Sequence, residues 1–146
     1  MSEVLKRIFG EDFQERYQRA LARAQQIPSE ELEAIKRFAV EALKSSEDFR
    51  VRYGDFDVIL AQTPAEPGKF PILRASTGYY KVAMLWPGSK SIRGPLVSVF
   101  TADRSTAEKL SSTPNKAWLL VGRLQERRWQ GDVAYIFRLR GVIPLD

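Results

Sequence analysis

At Phe49 the spacing of apolar residues changes from near four to two, which splits the chain into a helical part over residues 1–46 and a β-rich part over residues 47–146. Upstream of the switch, Phe13, Tyr17, Ala20, Leu21 and Ala24 recur at steps of three and four and predict a helix over residues 11–26. A short lead-in helix over residues 3–9 is expected to stop at Gly10. Pro28-Ser29 opens a second main helix, with Glu30, Glu31 and Glu33 in the first turn, where carboxylates favour the helix dipole. Its stripe is Leu32, Ile35, Ala39 and Leu43, and it ends near Lys44-Ser45. Both stripes read as packing faces.

Downstream, Phe49, Val51 and Tyr53 alternate with Arg50 and Arg52, and Gly54-Asp55 turns the chain into Phe56, Val58 and Leu60. A two-residue turn there sets Tyr53 against Phe56, Val51 against Val58, Phe49 against Leu60, and Arg52 against Asp57. Residues 63–71 form a Pro/Gly-rich loop, followed by expected strands at residues 72–75 and 79–86. The loop over residues 87–95 is basic. A strand over residues 96–101 precedes a short helix announced by the capping box Ser105-Thr106-Ala107-Glu108 and closed before Pro114.

Two long strands, residues 116–129 and 132–142, finish the chain around a Gln130-Gly131 turn. That turn sets Leu124 against Phe137, Glu126 against Tyr135 and Trp118 against Ile143 on a mostly apolar face. The reverse face sets Arg123 against Arg138, Val121 against Arg140, Gln125 against Ile136 and Arg127 against Ala134, with Trp129 at the tip. Like charges directly opposite destabilise a sheet, so the Arg123/Arg138 pair calls for a bridging anion or for carboxylate partners such as Glu108 or Asp103.

The chain of 146 residues, 44% of them apolar, suffices for one domain with a real core. No apolar run approaches the roughly 18 to 20 residues of a membrane span, and Met1 to Arg7 lacks a signal peptide's apolar stretch, so a cytoplasmic location is expected. The absence of Cys and His excludes disulfides, Cys/His zinc sites, and thiol or imidazole catalysis. Absent Cys, 28% charged residues and few Gly also fit a heat-adapted protein. Residues 1–50 hold nine Lys/Arg and ten Asp/Glu, whereas residues 51–146 hold fourteen and eight, so the basic excess lies wholly in the second part. Arg outnumbers Lys fifteen to eight. Arg pairs with phosphate bidentately and stacks on bases, which favours a polyanionic partner.

Catalytic constellations are not visible. Asp55 and Asp57 have the spacing of a two-carboxylate metal site, but Asp55 falls in a turn and Asp57 has Arg52 opposite. Neither a GxGxxG nor a GxxxxGK[ST] loop is present. No catalytic residue, cofactor or metal is therefore expected. Aromatic residues interleaved with basic ones carry more information. Over residues 79–86 one strand face is Tyr80, Val82, Met84 and Trp86, which reads as core, and the other is Tyr79, Lys81, Ala83 and Leu85. Such an apolar and basic surface suits unpaired bases that stack on the floor while cations take the phosphates. Trp129, beside Arg127 and Arg128, is expected to be exposed and to stack, whereas Trp118 is assigned to the core.

The stretch TGYYKVAMLWPG (Thr77 to Gly88) and the closing NKAWLLVGRLQERRWQGDVAYIFRLRGVIPL (Asn115 to Leu145), behind two amphipathic helices, resemble the ThermoDBP family of single-stranded DNA-binding proteins from hyperthermophilic archaea. The resemblance spans most of the chain and rests on overall pattern. It implies a non-OB fold and a cleft with a hydrophobic floor and basic flanks that binds single strands with little sequence preference, as replication and repair need. By matching character the floor would be Tyr79, Leu85, Trp86 and Ile136, and the flanks Lys81, Lys90, Arg93, Arg123, Arg138 and Arg140. The family can carry a carboxy-terminal leucine zipper. Gly141 to Asp146 shows no heptad, so that route to a dimer is not expected from these residues and the oligomeric state stays open.

The resulting expectation is an α+β domain, with amino-terminal helices on a twisted antiparallel sheet of about five or six strands that is not an OB-fold. Its expected function is sequence-tolerant binding of single-stranded DNA, with RNA as a further ligand. Other readings stay open: a metal-dependent nucleic-acid-processing enzyme using Asp55, Asp57 and Glu66, an OB-type or RNA-binding module, and a protein-interaction domain whose basic face meets an acidic partner.

Overall fold

A computed structural model of the protein describes residues 26–67 and 78–145. The helices expected over residues 3–9 and 11–26 and the strand expected over residues 72–75 lie outside the described residues, Gln26 excepted. The described elements are α1 (Ser29–Leu43), β1 (Arg50–Tyr53), β2 (Phe56–Gln62), β3 (Tyr80–Leu85), β4 (Leu96–Thr101), α2 (Arg104–Ser112), β5 (Ala117–Trp129) and β6 (Asp132–Leu145). The architecture is α+β, and neither described helix is long and apolar enough to cross a membrane.

The second main helix forms where its stripe predicts. Pro28 stands in extended backbone at the N-cap of α1, Glu30 and Glu31 occupy the first turn, and Ile35 and Ala39 are buried. The first hairpin keeps the expected register, with Tyr53 opposite Phe56, Val51 opposite Val58 and Arg52 opposite Asp57. Gly54 supplies the positive φ that the tight turn needs. Phe49 departs from expectation. It lies before β1 with φ 56° and is exposed, and its carbonyl accepts hydrogen bonds from the Leu60 amide and the Trp86 indole. The cap of α2 is also two residues earlier than expected. Asp103, not Ser105, is the N-cap and accepts from the Ser105 amide at 3.2 Å, while Glu108 pairs with Arg104 at 2.9 Å.

The sheet is mixed rather than wholly antiparallel, because β4 runs parallel to β6. Its order is β1-β2-β3-β4-β6-β5, and a further pairing of β2 with β5 closes β2, β3, β4, β6 and β5 into a ring. The ring is thinnest between β2 and β3, joined by the single pair Gln62 and Leu85. The β5–β6 hairpin has the expected register from the tip to Gly122, which lies opposite Leu139. There a bulge intervenes: Val121 faces Gly141, not Arg140, and Trp118 faces Pro144, not Ile143. Arg140 is the extra residue. A Cβ on Gly122 would sit 2.0 Å from the Arg138 carbonyl oxygen, so the bulge brings the two backbones closer than any side chain allows.

Two buried clusters follow from this closure. Val82, Met84, Trp86, Val99, Trp118 and Phe137 fill the ring together with Ala107 and Leu110 of α2. Outside it, Ile35 and Ala39 of α1 pack on Val58, Leu119, Val121 and Ile143. Burial of one such large apolar side chain contributes about 1.5–3 kcal/mol. Among the described residues, α1 covers one end of the outer surface of β5 and β6, and Arg123, Arg127 and Arg138 are exposed at the other.

Candidate nucleic-acid interface

Strand alternation builds the uncovered surface. On β3 Val82 and Met84 point into the ring while Lys81 and Ala83 are exposed. On β6 Tyr135, Phe137 and Leu139 are buried while Ala134, Arg138 and Arg140 are exposed. On β5 Arg123 and Arg127 flank the buried Leu124. Register then aligns these residues in rows across four strands. Lys81 lies opposite Phe100, Phe100 opposite Arg138, and Arg138 opposite Arg123. The next row is Ala83, Ser98, Ile136 and Gln125. Beyond it Leu85 lies opposite Leu96, and Ala134 opposite Arg127. Phe100, Leu96 and Ile136, with Ser98 and Arg138 among them, therefore lie between Lys81 on β3 and Arg123 and Arg127 on β5.

The cations of this face have no acidic partner within the described residues: no ion pair joins Lys81, Arg123, Arg127, Arg138 or Arg140 to a carboxylate. Asp103 and Glu108, the carboxylates considered for Arg123 and Arg138, are engaged by α2 itself. Arg138 instead donates to the Gln125 side chain at 3.4 Å and stacks 5.8 Å from the centre of the Tyr79 ring. Arg140 stacks on Phe56 at 5.6 Å.

Of the residues expected in the site, Tyr79, Lys81, Leu85, Arg123, Arg127, Ile136 and Arg138 share this surface, with Arg140 at its bulged margin. Trp129 stands at the hairpin tip, 71% exposed. Lys90 and Arg93 lie elsewhere, in the loop between β3 and β4. Lys90 lines a cleft of about 530 Å³ under the hairpin with Glu126, Arg128 and Tyr135, and Arg93 pairs with Asp132 at 3.5 Å. Trp86 is a correction. It is 2% exposed, meets Tyr135 edge-on with ring centres 5.0 Å apart, and donates to the Phe49 carbonyl, so it belongs to the core its alternation indicated and not to the floor. Phe100 was missed. The run Leu96 to Thr101 is apolar on both faces, so its alternation does not reveal which side is wet, and only pairing with β3 and β6 places Phe100 between Lys81 and Arg138.

The carboxylates weighed for a metal have other occupations. Asp57 is buried, with one oxygen 3.3 Å from Arg50 and 3.6 Å from Arg52, and the other accepting the Leu124 amide at 2.8 Å. Among the described residues no group of three or more acidic ligands could hold a metal ion. Comparison with protein-family models, with curated proteins and with solved structures finds no match.

Proposed function

We propose that the protein binds single-stranded nucleic acid, DNA foremost, without strong sequence preference and without catalysis, on the outer face of β3, β4, β6 and β5. The observation that carries this reading is the row Lys81, Phe100, Arg138 and Arg123, an aromatic ring set among three cations that no carboxylate among the described residues neutralises. Two adjacent guanidinium groups on neighbouring strands repel each other, and a phosphate between them turns that cost into paired charge-assisted hydrogen bonds. Unpaired bases have apolar faces to lay on Phe100, Ile136 and Leu85, while a duplex keeps its bases stacked inside. This is the class of activity that the ThermoDBP resemblance implies.

An OB-type module is a second reading, and the ring favours it. Counting β2 as the first ring strand, the first pairs with the fourth, the third runs parallel to the fifth, and a helix joins the third to the fourth. In that frame β3 and β4 are the second and third strands and the β5–β6 tip is the loop between the fourth and fifth, the parts through which OB barrels take oligonucleotides. Both readings put the ligand on the same face. Titration of a labelled oligo(dT), and of a duplex of equal length, by anisotropy tests the proposal. Tighter binding of the single strand is expected, and equal affinity for the two would remove the stacking floor from the account.

A further inference from the structure

Ile92 and Trp129 are the two most exposed large apolar residues among those described, 82% and 71%, one in the loop between β3 and β4 and the other at the end of β5 beside the hairpin turn. One carboxylate ties this loop to the hairpin. Asp132 lies opposite Trp129 in the hairpin register, accepts the Ile92 amide at 3.0 Å and the Ser91 hydroxyl at 3.3 Å, and pairs with Arg93. Two apolar side chains in water gain nothing from being held, yet here the loop and the hairpin tip are fixed at the same end of the molecule. Cations outnumber carboxylates around it: Lys90, Arg93, Arg127 and Arg128 are all exposed, against Glu126 and the Asp132 that pairs with Arg93. Arg127 also belongs to the outer face of β5, so the tip continues the proposed binding surface.

We infer that Ile92 and Trp129 form an apolar tip that abuts the last base pair where a single strand emerges from a duplex, making the protein selective for single-strand/duplex junctions. This rests on the single-strand-binding reading of the face. Apolar side chains pressed against a base step unstack it at a cost of a few kcal/mol, and an end pair is already unstacked on one side, so a junction is the least costly place for such contact. The cations around the tip would take the backbone phosphates of the duplex end, as those of the face take the emerging strand.

The test compares three labelled ligands with the wild-type protein and with Ile92→Ser: an oligo(dT) strand, a duplex carrying the same strand as a tail, and the blunt duplex. The wild type should bind the tailed duplex about tenfold tighter than the tail alone, the scale of one stacking contact. Ile92→Ser should bring that ratio to about one while oligo(dT) affinity and melting temperature stay unchanged. Equal wild-type affinity for tail and tailed duplex would overturn the junction contact and leave strand binding standing, whereas failure to bind either would remove both. A preference that survives in folded Ile92→Ser also overturns it. So does Ile92-dependent binding to phosphatidylserine vesicles in place of the junction preference, which would assign the tip to a lipid surface.

Discussion

Arg123 and Arg138 face each other across β5 and β6 with no ion pair to a carboxylate among the described residues, a cost in the free protein that an anion bound between them turns into a gain. The double variant Arg123→Ala with Arg138→Ala should therefore melt within about 0.5 kcal/mol of the wild type or slightly above it. Its affinity for oligo(dT) should fall, with the log-log salt slope reduced by about 0.7 for each phosphate contact removed. A markedly lower melting temperature would make these arginines structural. Phe100→Ala should behave differently, losing about 1–3 kcal/mol of binding with the salt slope unchanged, since stacking releases no counterions. Legibility at this scale followed locality. Alternation along a single strand placed Lys81 outside and Trp118 inside, and it also argued Trp86 into the core, where matching by character had assigned it to the floor. Phe100 was hidden because its surroundings are set by β3 and β6, distant in sequence.

Among the elements, the β5–β6 hairpin was readable near its turn and unreadable past Gly122. Gln130 and Gly131 both take positive φ, as a two-residue hairpin turn demands, and this fixed the pairing of the first eight positions. The bulge arises from the approach of Gly122 to the Arg138 carbonyl, which no local pattern announces. Gly122→Ala places a Cβ 2.0 Å from that oxygen and should destabilise the fold by about 1–3 kcal/mol, measured by thermal unfolding, while displacing Arg138 and weakening oligo(dT) binding. Wild-type stability would mean that the hairpin shifts freely. Asp132 gives the hairpin a pH dependence. The Ile92 amide chiefly holds its carboxyl below the usual value of 3.8, helped by the Val133 amide, the Ser91 hydroxyl and Arg93, and opposed by partial burial. A lowered folded pKa means that the contribution is fully present above 3.8 and is lost as pH falls through the folded value. Relative to Asp132→Asn, the wild type should lose stability on acidification only below about pH 4, and an identical acid profile for the two proteins would show that the carboxylate does not hold the loop.

Across the whole molecule, the passage from α1 to the strands that begin at Arg50 was legible in the change of spacing at Phe49. Closure of the ring was not, because the parallel pairing of β4 with β6 and the return of β2 to β5 join segments that share no turn. Closure is nevertheless what gives the outer surface two different ends: Leu119, Val121 and Ile143 lie beneath α1, and at the other end Arg123 and Arg138 are exposed and Ile136 is half-buried. The most direct test reads both ends at once, by following backbone amide resonances of the isotope-labelled protein during an oligo(dT) titration. The account predicts saturable shifts at Lys81, Ser98, Phe100, Arg123, Ile136 and Arg138, with Val58, Leu119 and Ile143 unmoved. Shifts confined to α1 and the strands beneath it, with the open end silent, would contradict it.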